Sequence, residues 1–105
     1  MSLVLALAML AGPAALPPPP PGLQFGFFRM VAFRDRAKEL RCPAGQLDQE
    51  FESLRKRLAK KYGKKAFANP KHPPSGPGDC FVVLSVYRVN LADFRREAEK
   101  ALAAP

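Results

Sequence analysis

The sequence is poor in the residues that most often carry catalysis and metal binding. Its 105 residues include one histidine, His72, two cysteines and no tryptophan. A single imidazole cannot form a site with several histidine ligands, and neither cysteine has a second cysteine or histidine close by. Asp79 next to Cys80 disfavours a thiolate nucleophile, and no glycine-rich phosphate loop is present. We therefore expect a non-enzymatic protein without catalytic residues, metal or cofactor.

The cysteines are too few and too far apart to define a redox or metal motif. Cys42 and Cys80 allow at most one disulfide. Two ordinary, half-buried thiols in a reducing compartment are the favoured interpretation, and a single bridge in an oxidising compartment is the alternative. The sequence leaves this choice open.

Charge is missing from the amino-terminal part of the chain, where Arg29 is the first charged side chain. Residues 1–16 are apolar, but as a helix the stretch from Leu3 to Leu16 would reach only about 21 Å, short of a bilayer core of roughly 30 Å. We interpret residues 1–16 as a signal-like or anchor segment, although the charged n-region of a signal peptide is missing. A mispredicted start, with Met30 as the true one, is a further alternative. The location is unknown beyond membrane-associated, organellar or secretory.

A polyproline spacer separates this segment from the rest of the chain. Five consecutive prolines, Pro17 to Pro21, must adopt the polyproline II conformation, because each ring fixes φ and removes a donor. We expect residues 17–22 to be a linker and residues 23–105 to be one small basic domain.

The apolar pattern of this domain predicts helices and strands together. Alternation at positions 23, 25 and 27 predicts a short strand ending at Phe28, and a helical period follows from Met30 to Leu40. A second helix is predicted over 46–63, with Gly63 as a left-handed cap. Phe81–Val89 is apolar on both faces, as in a strand covered on two sides, and Asn90 is expected to cap a last helix. The expected class is α+β: a small, mostly helical domain with a helix hairpin, one or two strands and a carboxy-terminal helix.

The predicted strand Phe81–Val89 needs a hydrogen-bonding partner, because a single strand leaves its backbone groups unsatisfied. It would pair with residues 23–28, with another copy of the chain, or with the sheet edge of a protein partner.

Acidic residues are absent between Ser53 and Gly78, and the basic residues of this stretch account for the net charge of +8. Most of them lie on the polar face of the second predicted helix or just after it. A localised cationic surface attracts RNA, DNA or anionic lipid, whereas a solvated helix face is the alternative interpretation. The candidate polyanion-binding residues are Arg55, Lys56, Arg57, Lys60, Lys61, Lys64 and Lys65.

The short core, the unpaired strand and the apolar amino terminus together favour a non-enzymatic accessory or structural subunit of a larger assembly, with protein partners. One alternative is an RNA-binding protein that uses the cationic face of the helix 46–63. Another is a small secreted or membrane-tethered protein.

Overall fold

The computed structural model describes residues 16–70 and 76–105, which form three α-helices and one short 3-10 helix. No strand occurs within these ranges, so the predicted α+β class is wrong and the described domain is all-helical. The helices are α1 (Pro21–Glu39), α2 (Gly45–Tyr62), the 3-10 helix (Lys64–Phe67) and α3 (Cys80–Ala103). Residues 1–15 lie outside the description, so their signal-like or anchor role stays a prediction.

The first predicted strand belongs to α1, which begins at Pro21, inside the expected linker, and runs on to Glu39. Leu23, Phe27 and Met30 are buried, whereas Phe25 is 73% exposed. Burial therefore follows spacings of four and three, which is the helical period, and not the alternation of a strand. Leu23 and Phe27 alone fit both periods, and the longer stripe through Met30 decides in favour of the helix.

The second predicted strand, Phe81–Val89, forms the first half of α3. The strand prediction rests on a run dense in Phe, Val, Leu and Tyr that is apolar on both faces. In the structure only one side is buried, at Val83 and Tyr87, while Phe81 and Val89 are 79% and 63% exposed. The pairing of this segment with a sheet edge is also excluded, because its backbone hydrogen bonds are those of a helix.

Asn90 does not cap a helix, contrary to the prediction. It lies in the middle of α3, where its amide donates a hydrogen bond of 2.8 Å to the carbonyl of Val86. The cap is Asp79, whose carboxylate accepts a hydrogen bond of 2.7 Å from the backbone N–H of Phe81. An aspartate at this position satisfies one of the N–H groups that a helix start leaves without a partner.

The predicted helix 46–63 is confirmed as α2. Its buried side chains are Phe51, Leu54, Leu58 and Tyr62, which repeat at spacings of three and four. Gly63 ends the helix with a φ of +100° and donates from its N–H to Ala59. Its ψ of 152° is extended and not left-handed helical, so the expected cap geometry is only partly present.

The three helices do not follow a simple up-and-down order. Asp48 contacts Tyr87 and Arg57 contacts Glu99, so α2 and α3 run in the same direction. Arg29 contacts Asn90, and the end of α1 meets the start of α3, which makes these two helices antiparallel. The chain between Phe67 and Asp79 therefore returns to the end of the bundle at which α2 begins.

An aromatic cluster lies at the centre of the core. The ring of Phe27 is 5.6 Å from that of Phe51, 5.3 Å from that of Phe67 and 6.5 Å from that of Phe94, measured between centroids. These four residues come from α1, α2, the 3-10 helix and α3, so one cluster joins every element. Gly26 brings α1 close to the ring of Phe94, where a Cβ would lie 3.2 Å from a ring carbon.

A disulfide joins Cys42, just after α1, to Cys80, the first residue of α3. The favoured interpretation of two thiols is therefore wrong. The antiparallel packing of α1 and α3 brings the two cysteines together, with their Cα atoms 5.4 Å apart. Arg41, which precedes Cys42, has a positive φ of 58°, and the N–H of Cys42 bonds back to Ala37 at 2.8 Å, so the turn directs this cysteine toward α3.

Among the helices in the described ranges, none combines the length and hydropathy that a membrane crossing requires.

Candidate polyanion-binding surface

The seven predicted cations lie on α2 and on the 3-10 helix that follows it, but they do not act alike. Three of them have partners inside the fold, which was not visible from the sequence. The other four point to solvent. Only the second group can bind an external anion at no cost in internal contacts.

Arg55 is held by its own helix. Its Nε donates to Glu52 Oε2 at 2.9 Å, and its Nη1 reaches the backbone carbonyl of Phe67 at 3.5 Å. The hydrogen bond from this guanidinium lowers the pKa of Glu52 below its ordinary value, against the opposing effect of burial. Arg55 therefore links α2 to the 3-10 helix and neutralises the nearest carboxylate.

Arg57 connects α2 to α3 through an ion pair with Glu99, with Nη1 and Oε1 2.7 Å apart. The hydrogen bond from Arg57 also lowers the pKa of Glu99. Both side chains are about half exposed, so the pair orients the two helices more than it stabilises them.

Lys61 caps the carboxy-terminal end of α3. Its ammonium donates to the carbonyl of Ala104 at 2.6 Å and also to that of Ala101. A helix end leaves several carbonyls without partners, and a cation beside them is favoured by the helix dipole. Lys61 is therefore engaged in helix packing.

The four remaining cations form what we term the lysine surface: Lys56, Lys60, Lys64 and Lys65. All four are exposed, and none makes an ion pair within residues 16–70 and 76–105. Lys56, Lys60 and Lys64 line an open depression of about 530 Å³ between α2 and the chain after it, with Ala59 and Ala68 at its sides. Small side chains there leave room for a headgroup or phosphate between the ammonium groups.

Among the residues that the structure describes, no exposed aromatic side chain suited to stacking on a base accompanies the lysine surface. The aromatic residues nearest to it in the chain, Tyr62 and Phe67, are buried in the core. Point charges attract phosphate without reading bases, and stacking usually supplies much of the affinity for single-stranded nucleic acid. The surface therefore has the charge for binding RNA but lacks this second contribution.

Two further features were missed from the sequence. The Tyr87 hydroxyl donates a hydrogen bond of 2.7 Å to Asp48 on α2, and burial, followed by this bond to a carboxylate, raises the pKa of Tyr87. The second feature is a row of exposed valines on α3, described below. The valine row becomes visible only when residues 81–89 are known to be helical, and nothing in the sequence links Tyr87 to Asp48.

Within the described part of the chain, no group of three or more potential metal ligands lies together. His72 lies outside that part. Comparisons of the chain with protein-family models, with curated proteins and with solved structures give no match.

Proposed function

We propose that this protein is a non-enzymatic accessory subunit that binds a protein partner through the side of the α1–α3 pair facing away from α2. The observation that carries the proposal is the row of apolar side chains that α3 presents to solvent. This row, together with Phe25 of α1, forms what we term the outer face: Phe25, Val82, Val86 and Val89.

The valines of the outer face are one turn apart. Val82 and Val89 are 41% and 63% exposed, and Val86 between them is half-buried. At 100° per residue they lie on the side of α3 opposite Arg95, which pairs with Glu50 on α2 at 2.8 Å. Since α2 packs on the other side of α3, it does not cover these valines.

Phe25 extends the outer face onto α1. Its ring lines a cleft between α1 and α3 together with Asn90 and Asp93. Asn90 directly follows Val89 in the chain. Apolar side chains scattered singly over a surface need no explanation, but three valines in a row along one face of a helix, with Phe25 exposed on the helix packed beside it, fit an interaction site. Burying one such side chain contributes about 1.5–3 kcal/mol.

The accessory role does not depend on an unpaired strand, since no strand occurs among the described residues. What supports it is the outer face, where polar groups such as Asn90 and Asp93 flank the apolar residues. This arrangement of an apolar centre with a polar rim is usual in protein interfaces.

The experiment compares two doubly substituted full-length chains. Val82→Asp with Val89→Asp places charge in the outer face, and Gln49→Asp with Ala92→Asp adds the same charge at exposed positions elsewhere on α2 and α3. We expect the parent and the control to purify from native cells in a complex with one partner protein at constant stoichiometry. The complex should re-form from the purified components. The Val82/Val89 variant should purify without the partner. Equal recovery of the partner by both variants would contradict the proposal, as would a parent that is monomeric and free of any stoichiometric partner.

The disulfide favours the alternative of a secreted or membrane-tethered protein, since such bonds persist in oxidising compartments. This alternative is compatible with an accessory role there. Alkylation of the protein in intact cells, followed by mass spectrometry, tests it: we expect Cys42 and Cys80 to be protected until a reductant is added. The RNA-binding alternative has less support, because three of its seven predicted residues are engaged within the fold.

A further inference from the structure

The apolar amino-terminal segment joins the body of the protein at the lysine surface. Leu16, its last residue, is 57% exposed and lies against Gly63, so closely that a Cβ on this glycine would be 3.1 Å from the Leu16 side chain. Gly63 immediately precedes Lys64. The chain before Leu16 therefore continues from a point next to the lysines.

Within the described residues, the carboxylates of Glu52 and Glu99 form ion pairs with arginines and none with the lysine surface. Glu52 is paired with Arg55, and Glu99 is paired with Arg57. The ammonium groups of the lysine surface are therefore left to interact with an external anion.

We propose that the full chain attaches to an anionic membrane surface, with the apolar segment of residues 1–16 inserted in the lipid and with Lys56, Lys60, Lys64 and Lys65 against the headgroups. One apolar anchor alone gives marginal, reversible attachment, and stable attachment takes a second signal such as a polybasic patch. Here the two signals are adjacent, because Leu16 lies against Gly63, the residue that immediately precedes Lys64. They can act on the same membrane at the same time.

A lipid surface fits these observations better than RNA does. Lipid binding requires an apolar anchor and positive charge, and both are present at this end of the molecule. RNA binding would use the charge but would leave the apolar segment without a role, and the neighbouring aromatic rings are buried.

The test measures the partition of the full-length chain onto vesicles of phosphatidylcholine alone and of phosphatidylcholine with phosphatidylglycerol. The lysine variant carries Lys56→Gln, Lys60→Gln, Lys64→Gln and Lys65→Gln. The matched control carries Arg29→Gln, Lys38→Gln, Arg41→Gln and Arg88→Gln, which removes the same charge from exposed positions elsewhere. A third variant, Leu5→Asp with Leu10→Asp, disrupts the apolar segment. Circular dichroism verifies that each variant keeps its helices.

We expect the parent to bind the anionic vesicles and the lysine variant to bind them about 600-fold more weakly, since each of the four basic residues near such a surface contributes roughly five-fold. The matched control should lose far less, and the Leu5/Leu10 variant should lose binding to both kinds of vesicle. High salt should weaken the parent and leave the lysine variant nearly unchanged.

Three results would overturn the proposal: equal losses in the lysine variant and the matched control, no binding of the parent to anionic vesicles, or binding of single-stranded RNA without binding of vesicles. None of them bears on the outer face, so the accessory role is tested independently.

Discussion

The helices α2 and α3 run in the same direction and contribute to the same core, yet their solvent sides differ. Outside its buried stripe α2 is polar, with lysines at 56 and 60, whereas α3 has a second apolar row through Val82 and Val89. Only α2 was recognised as a helix along its whole length. Periodicity identifies a helix when the exposed side is polar, and it fails when a second surface of the same helix is also apolar.

The same difference separates the two proposed roles. The lysine surface on α2 faces an anionic membrane in our proposal, and the outer face on α3 points away from α2 and is available to a protein partner. One small domain would thereby hold a partner at a membrane.

The largest difference in stability is expected between charge substitutions at two adjacent residues of α3, one buried and one on the outer face. Val83→Asp places a charge in the core and should lower the free energy of unfolding by at least about 4 kcal/mol, because a buried, unpaired charge is very costly. Val82→Asp lies on the outer face and should cost less than about 1 kcal/mol. Urea denaturation of both variants measures the difference. Comparable losses at the two positions would instead indicate a segment buried on two sides.

The next largest effect should come from the disulfide, which joins the segment after α1 to the start of α3. Replacing both cysteines by serine should cost about 4 kcal/mol, because the bridge constrains a long loop of the unfolded chain. We expect amide exchange to increase first at the start of α3 and the end of α1. An unfolding free energy that does not respond to reduction would show that the bridge contributes nothing.

Tyr87→Phe breaks the buried hydrogen bond between α3 and α2. Removing a hydroxyl that bonds to a carboxylate should cost about 1.5 kcal/mol. Since the fold raises the pKa of Tyr87, the folded state disfavours its ionised form. The stability that protonated Tyr87 contributes is fully present below the ordinary tyrosine pKa of about 10. It is lost as the pH rises above that value.

Stability curves of the parent and of Tyr87→Phe, measured against pH, test this difference. The parent should lose more stability than the variant above about pH 10. Parallel curves over that range would show that Tyr87 ionises in the folded state as it does in the unfolded chain.

The smallest effect on stability is expected from the lysine surface, which spans α2 and the 3-10 helix. Replacing all four lysines by glutamine keeps helix propensity similar and should change the free energy of unfolding by no more than about 1 kcal/mol. Thermal and urea denaturation of this variant provide the measurement. A larger loss would mean that these side chains stabilise the fold, as Lys61 does through its bonds to the end of α3.

Several parts of the structure could be predicted because their signals are local. The helix α2 followed from the repeat of Phe51, Leu54 and Leu58, and its end followed from Gly63, whose missing side chain permits a positive φ. The seven cations were placed correctly on α2 and the segment after it. The sequence does not reveal which of these cations bond to other parts of the fold, because the partners Glu99 and Ala104 are about forty residues away.

The sequence by itself determined the helical stripe of α2 and the concentration of positive charge between Ser53 and Gly78, because each depends on residues close together in the chain. Tertiary structure alone decided that Phe81–Val89 is helical, since burial on one side could be seen only against α1 and α2. It also decided that Cys42 meets Cys80 and that the lysine surface consists of four residues. Contacts between distant segments fix all three, and such contacts form only when the helices pack.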